Sequence, residues 1–235
     1  MNMPPPTTAA VVADGAQGTA HPTSEEFAAA FPPQYTILGV KLLPLSLGRY
    51  RLMKWAGVAF VSEEECGASV EDLFTGLAIC GMPCGEFKQF LNDGKLESEL
   101  RAWGELLREQ IAQEKGFNIF EKITLFQRYI EDGQKLPWVP LPVQTENPPD
   151  YTSTHWSLNV EVVLRGHLNW TKDEIDEEPL TKALCDYFKW MEGEGHVRLM
   201  PHELYQAMLD EGEANMRVME KRNSELKTGE AICQG

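Results

Sequence analysis

Between residues 69 and 131, apolar side chains recur every three or four positions, which is typical of amphipathic helices. Ser69 and Asn118 stand where helix N-caps are expected, and Ser69 forms a loose capping box with Asp72. Gly116 and Gly133 end the third and fourth helices. The four predicted apolar faces are Leu73, Leu77 and Cys80; Phe87, Phe90 and Leu91; Leu100, Trp103, Leu107 and Ile111; and Ile119, Ile123, Phe126 and Ile130.

The segment 134–152 interrupts this pattern with five prolines, which exclude a long helix. It is predicted to be an extended linker and the boundary between two helical domains. Its apolar side chains, among them Trp138 and Leu141, suit packing against a neighbouring groove.

Helical spacing returns after the linker. A helix near 154–167 is followed by a second capping-box pattern, Thr171 with Glu174. Pro179 suits the first turn of the next helix. A last helix over about 201–225 begins apolar and then turns polar, and residues 226–235 are predicted to fray. The buried face of the helix after Pro179 is predicted to hold Leu180, Leu184, Tyr187, Phe188 and Met191.

The N-terminal part is predicted to be less helical than the rest of the chain. Residues 1–33 are rich in Pro, Ala, Thr and Gly and are predicted to be a flexible tail, with a short helix possible at 24–31. Residues 35–43 predict a strand or extended arm, and Ser46 caps a helix that reaches about residue 56. The predicted fold is therefore mainly α, with one helical domain at 34–133 and another at 153–225.

Charge narrows the possible functions. The chain has 36 acidic and 21 basic residues, a net charge of −15. Such a surface disfavours nucleic acid and anionic membranes, because both attract proteins chiefly through Lys and Arg. One basic segment interrupts the acidic sequence, with Lys41, Arg49, Arg51 and Lys54 and no acid.

Cysteine usage indicates a reduced, intracellular, soluble protein. The five cysteines are scattered, the first residues lack the charge and apolar core of a signal peptide, and no apolar run reaches membrane-spanning length. Cys80 and Cys84 form a C-x3-C pair without a second ligand pair, so zinc is disfavoured. The preferred interpretation is that Cys80 packs at a helix end and Cys84 starts the next helix.

No other pattern predicts catalysis. Asp150, His155 and His167 lack a nucleophile signature, and the phosphate-binding glycine loops are absent. The acidic run 173–178 lacks the calcium-loop pattern, and a solvated helix N-terminus is preferred for it. No catalytic residue, metal ligand or cofactor is predicted.

Three tryptophans and one leucine are the candidate binding residues. Trp is enriched at protein interfaces, although each single Trp is more often part of a core. The candidates for partner binding are Trp138, Leu141, Trp156 and Trp170.

Two stretches resemble proteins of tailed-phage tail modules. LLPLSLGRYRLMKWAG with SVEDLFTGLAICGMPCGEF resembles small helical tail proteins, and WTKDEIDEEPLTKALCDYFKWMEGEG resembles the closing segment of tail assembly chaperones. The resemblance implies a non-enzymatic protein of the host cytoplasm that keeps the tape-measure protein soluble and helps to recruit tail tube subunits. It leaves the oligomeric state open.

Two alternatives remain at this point. One is a structural virion component, such as a connector or tail-completion protein, that uses its tail and linker as arms. The other is a metal-dependent enzyme built on the cysteines and histidines.

Overall fold

The computed structural model describes residues 32–62, 67–113, 116–143 and 155–232, with side chains described as far as residue 220. The predicted tail up to residue 31, its helix at 24–31 and the linker residues 144–152 lie outside these ranges. The described part is mainly helical, with two small two-stranded sheets, which confirms the predicted fold class.

A tight hairpin forms where the strand or extended arm was predicted. Strand β1 (Thr36–Ile37) pairs antiparallel with β2 (Val40–Lys41). Leu38 and Gly39 turn the chain with positive φ angles of 51° and 75°. The hairpin packs on the body, because Ile37 and Leu38 are buried in the core.

The helices of the first half begin and end close to the predicted residues. Ser46 accepts a hydrogen bond from the Arg49 amide and caps α1, and Ser69 and Asp72 form the full capping box of α2. Asn118 caps α5 by accepting a bond from the Phe120 amide. The helices are α1 (Leu47–Trp55), a 3₁₀ turn (Ala59–Val61), α2 (Val70–Gly81), α3 (Cys84–Asn92), α4 (Leu96–Gln113) and α5 (Ile119–Asp132).

The first part of the predicted linker is a paired strand. Strand β3 (Trp138–Pro142) lies antiparallel to β4 (Val197–Pro201), a strand that the sequence pattern did not predict. Prolines are tolerated here because a two-stranded sheet has only edge strands. Residues 138–142 of the predicted linker therefore pair with residues 197–201 of the predicted C-terminal domain.

The described residues of the second half, 155–232, form four helices. Thr171 and Glu174 form the predicted capping box, and Pro179 occupies the N-cap of the following helix. The helices are α6 (Trp156–Gly166), α7 (Lys172–Glu177), α8 (Leu180–Gly193) and α9 (His202–Ile232). Helix α9 continues seven residues beyond the predicted end near residue 225.

Buried side chains from both predicted domains form one cluster. It includes Leu47 of α1, Leu77 of α2, Phe126 of α5, Leu164 of α6 and Leu180 of α8. A Cβ at Gly76 would lie 2.6 Å from the Phe126 ring, so this glycine lets α2 and α5 approach closely.

Candidate partner-binding surface

The basic segment and the acidic run, more than 120 residues apart in sequence, meet at the start of α1. The Ser46 hydroxyl donates to the Asp176 carbonyl, and the Leu180 amide donates to the Leu45 carbonyl at 2.6 Å. A Cβ at Gly48 would lie 2.7 Å from the Asp176 carbonyl oxygen. We call Ser46, Gly48, Arg49, Asp176 and Glu177 the α1–α7 junction.

Arg49 is the central cation of this junction and is only 1% exposed. Its guanidinium donates to Glu177 Oε2 at 2.5 Å and to the Pro44 carbonyl at 3.1 Å. The second Glu177 oxygen accepts the Cys84 amide at 2.6 Å. Since a buried cation is costly without acceptors, Glu177 holds α1, α3 and α7 together.

The interpretation of the acidic run as a solvated turn was wrong for its second half. Asp176 is buried and accepts a hydrogen bond from Lys88 Nζ at 2.5 Å, and Glu177 pairs with Arg49. Only the first-turn acids, Asp173 and Glu174, behave as predicted, because Glu174 completes the capping box of α7. The ion-pair partners of these two carboxylates, Lys88 for Asp176 and Arg49 for Glu177, lie far away in sequence. No local pattern in the acidic run reveals these pairs.

Both cysteines of the C-x3-C pair are fully buried and free of disulfide bonds. Burial raises the pKa of the Cys80 thiol to about 12, and burial also raises the pKa of the Cys84 thiol. Cys84 Sγ donates to the Asp176 carbonyl at 3.1 Å, so this thiol is also a polar contact of the junction. Protonated thiols are poor nucleophiles, and both side chains pack inside the core cluster.

The other chemistry-bearing residues named from the sequence are dispersed. His155 accepts the Ser157 amide at the start of α6, and His167 follows the other end of that helix and stacks on Trp190 at 4.6 Å. Asp150 lies outside the described residues. Across the described ranges, no three His, Cys, Asp or Glu side chains are grouped to hold a metal ion.

The four candidate binding residues line separate features. Trp156 closes a groove of about 390 Å³ whose other walls come from α6, α8 and Gln134. Trp170 lies in a shallow cleft with Trp190, and Lys182 Nζ lies 5.2 Å from its ring centre. Trp138 and Leu141 are partly exposed on β3. The structure therefore does not combine these four residues into one site.

A longer apolar surface lies on α9. Every residue from 206 to 220 is exposed, so this part of the helix projects from the body. Met208, Met216 and Met219 are 51%, 59% and 66% exposed. At 100° per residue they share one face with four other apolar, aromatic or glycine positions and with the polar Asn215. We call the seven positions other than Asn215 the methionine stripe. The stripe comprises Leu204, Tyr205, Met208, Leu209, Gly212, Met216 and Met219.

Comparison of the chain with models of known protein families, with curated proteins and with solved structures finds no match. Within the described ranges, no helix combines the length and apolar composition needed to cross a membrane.

The sequence pattern predicts only the first turns of this helix to be apolar, so the stripe is not predicted over its full length. Its continuation was detectable in the spacing of Met208, Gly212, Met216 and Met219, which repeats every three or four residues. An exposed apolar row on a projecting helix is a candidate surface for protein contact, since large exposed apolar patches often mark interaction sites. The stripe is therefore a candidate binding surface in addition to the four residues named from the sequence.

Proposed function

We propose that this protein is a non-enzymatic assembly protein of the phage tail chaperone type, which binds a helical client through the methionine stripe of α9. The observation that carries the proposal is the exposed stripe on a helix that leaves a well-packed body. Helical clients with an apolar face are commonly bound along such surfaces, with anchors at three- and four-residue spacing.

The side chains of the stripe suit an aggregation-prone client. Methionine is flexible and polarisable, so it adapts to different apolar partners. The stripe carries three of the chain's nine methionines. The net charge of −15 supports the same role, because a strongly charged body keeps a complex with an apolar client in solution.

The resemblance to tail proteins adds the biological setting. Its two segments, residues 42–87 with a short gap and residues 170–195, pack together at the α1–α7 junction through Arg49 and Glu177. The matched stretches are therefore neighbours in one folded unit.

Co-expression with the tape-measure protein encoded in the same gene cluster tests the proposal. We expect a soluble complex with the unmodified chain and an insoluble client with the variant Met208→Gln/Met216→Gln/Met219→Gln. The matched control is Ala207→Gln/Ala214→Gln, which introduces the same side chain on the opposite, exposed face of α9. An insoluble client with the unmodified chain would contradict the proposal.

Mass spectrometry of purified particles tests the assembly role separately. A chaperone acts before assembly, so we expect it to be absent from the particle or present far below one copy per tail. Stoichiometric presence would contradict the chaperone proposal and favour a structural component of the virion.

A further inference from the structure

We infer that the methionine stripe selects an amphipathic helix whose apolar face is bordered by Lys and Arg. This inference rests on the proposed function and names the chemistry of the client at the same site.

The dimensions of the stripe define the size of the bound segment. From Leu204 to Met219 the helix advances 15 residues, about 22 Å at 1.5 Å per residue. A partner helix of about four turns covers this length. Gly212 lies at the middle, and nothing else in the described structure lies within 4 Å of the position a Cβ would occupy there. The backbone of a second helix can approach closely at that point, as small residues permit in helix pairs.

Acidic side chains border the stripe on both sides. Glu211 lies beside its Leu204 edge, and Glu213 and Glu220 lie beside its Leu209 edge, as helical geometry requires. Arg217 is the only base between residues 203 and 220, and its guanidinium pairs with Glu213 at 3.2 Å on the side away from the stripe. Between residues 203 and 220 the borders of the stripe are therefore acidic; Lys221 and Arg222 follow after the end of the stripe, and Arg222 is in line with Leu204 along the helix.

Negative borders favour a partner with positive borders, because charge complementarity across an apolar interface favours association and discriminates between partners. Basic residues next to apolar anchors would meet Glu211 on one side and Glu213 and Glu220 on the other. An acidic helix of the same apolar pattern would meet like charges on both sides.

The same charges argue against a second copy of this chain as the occupant. If two stripes cross at Gly212, where close approach is possible, each Glu211 and Glu213 faces acids of the other copy. This holds for parallel and antiparallel arrangements, because residues 211 and 213 are equidistant from the crossing point. Self-pairing therefore gathers four carboxylates around one contact, which is unfavourable.

The test uses the full chain and two fluorescein-labelled helical peptides of about 18 residues. Both carry leucines at three- and four-residue spacing. One has Lys at every flanking position, and the other has Glu, a residue of similar helix propensity. We expect fluorescence anisotropy to give at least about tenfold tighter binding of the Lys peptide at about 50 mM salt, with a smaller preference at about 500 mM.

Two variants locate the source of the preference. Glu211→Gln/Glu213→Gln is expected to reduce the preference for the Lys peptide by at least about threefold. The matched control, Asp210→Asn/Glu97→Gln, removes two charges from the same chain at a distance from the stripe and is expected to retain the preference. Asp210 lies on the opposite face of α9, and Glu97 lies on α4.

The possible results separate this inference from the proposed function. Equal binding of both peptides, with loss of binding in the Met→Gln variant, would overturn the charge selectivity and leave the proposed function standing. A stripe-dependent dimer in sedimentation would identify a second copy as the occupant and overturn the inference, as would binding of neither peptide. Lys-peptide preference without solubilisation of the tape-measure protein would instead overturn the proposed function alone.

Discussion

The α1–α7 junction and the projecting part of α9 reverse the usual relation between polarity and burial. At the junction, a guanidinium that is 1% exposed lies between helices; its two terminal nitrogens donate to a carboxylate and two carbonyls, while its buried Nε has no hydrogen-bond partner among the described residues. On α9, methionines that are more than half exposed face away from the core. A buried charge that is ion-paired within the fold indicates a structural role, whereas an exposed apolar row indicates a binding partner.

Among substitutions at the junction and on α9, removing the carboxylate that faces Arg49 is expected to have the largest effect on stability. Glu177→Met leaves a buried guanidinium without its counter-ion and the Cys84 amide without its acceptor, at a cost of about 3 kcal/mol in the free energy of unfolding. Urea denaturation followed by tryptophan fluorescence measures the change. Glu97→Met on α4 is the control, because Glu97 is solvent-exposed, and about 0.5 kcal/mol or less is expected.

The double variant Arg49→Met/Glu177→Met sharpens this prediction. Removing both charges eliminates the unpaired ion, so the double variant is expected to be more stable than Glu177→Met alone. A Glu177→Met protein as stable as the unmodified chain would show that the junction does not need its counter-ion.

The close approach of α1 to α7 provides the second prediction. Gly48→Ala places a methyl group 2.7 Å from the Asp176 carbonyl oxygen, and backbone atoms cannot move aside easily. We expect a loss of about 1–3 kcal/mol in the free energy of unfolding. Gly85→Ala in α3 is the matched control, because nothing lies within 4 Å of the added carbon. That variant is expected to be neutral or slightly stabilising; equal losses in both would contradict the prediction.

Local sequence signals predicted the helices well and their long-range contacts poorly. The caps at Ser69 and Thr171 depend on residues three positions away, so the pattern contains all the information needed. Arg49 and Glu177 are 128 residues apart, and only the packed fold brings them together. The pairing of strand β3 was not predicted because Pro140 and Pro142 are unfavourable in a central strand. An edge strand tolerates both prolines.

Local sequence signals are also insufficient to locate the candidate binding surface. Trp138, Leu141, Trp156 and Trp170 were chosen by residue type, but residue type does not specify which surfaces are contiguous. The methionine stripe was visible as periodicity, but the sequence alone does not show whether an amphipathic helix packs on its own core or projects from it. That distinction required the exposure of residues 206–220.

A third prediction concerns pH. Glu161 of α6 pairs with Arg51 of α1; although burial alone would raise the Glu161 pKa, the hydrogen bond and charge of Arg51 lower it below 4.5. The folded state therefore gains stability above about pH 4.5 and loses it as the pH falls through the lowered pKa. Glu161→Gln is expected to cost about 1 kcal/mol at pH 7 and less than that near pH 3.

Denaturation of both proteins at the two pH values measures this difference. A cost for Glu161→Gln that is the same at pH 7 and pH 3 would show that the Arg51 contact does not depend on the carboxylate charge.

The smallest effect on stability is expected for substitutions on α9. This prediction directly tests the difference between the α1–α7 junction and the projecting part of α9. Met208→Gln/Met216→Gln/Met219→Gln changes three exposed side chains, so the free energy of unfolding should change by about 0.5 kcal/mol or less. The same substitution at Met53, which is fully buried beside Cys80, should cost about 2–5 kcal/mol. If the triple variant lost as much stability as Met53→Gln, the stripe would be buried in solution, either against other residues of the same chain or against a second copy of the chain. If its stability is unchanged while client binding is lost, the stripe contributes to recognition and not to folding.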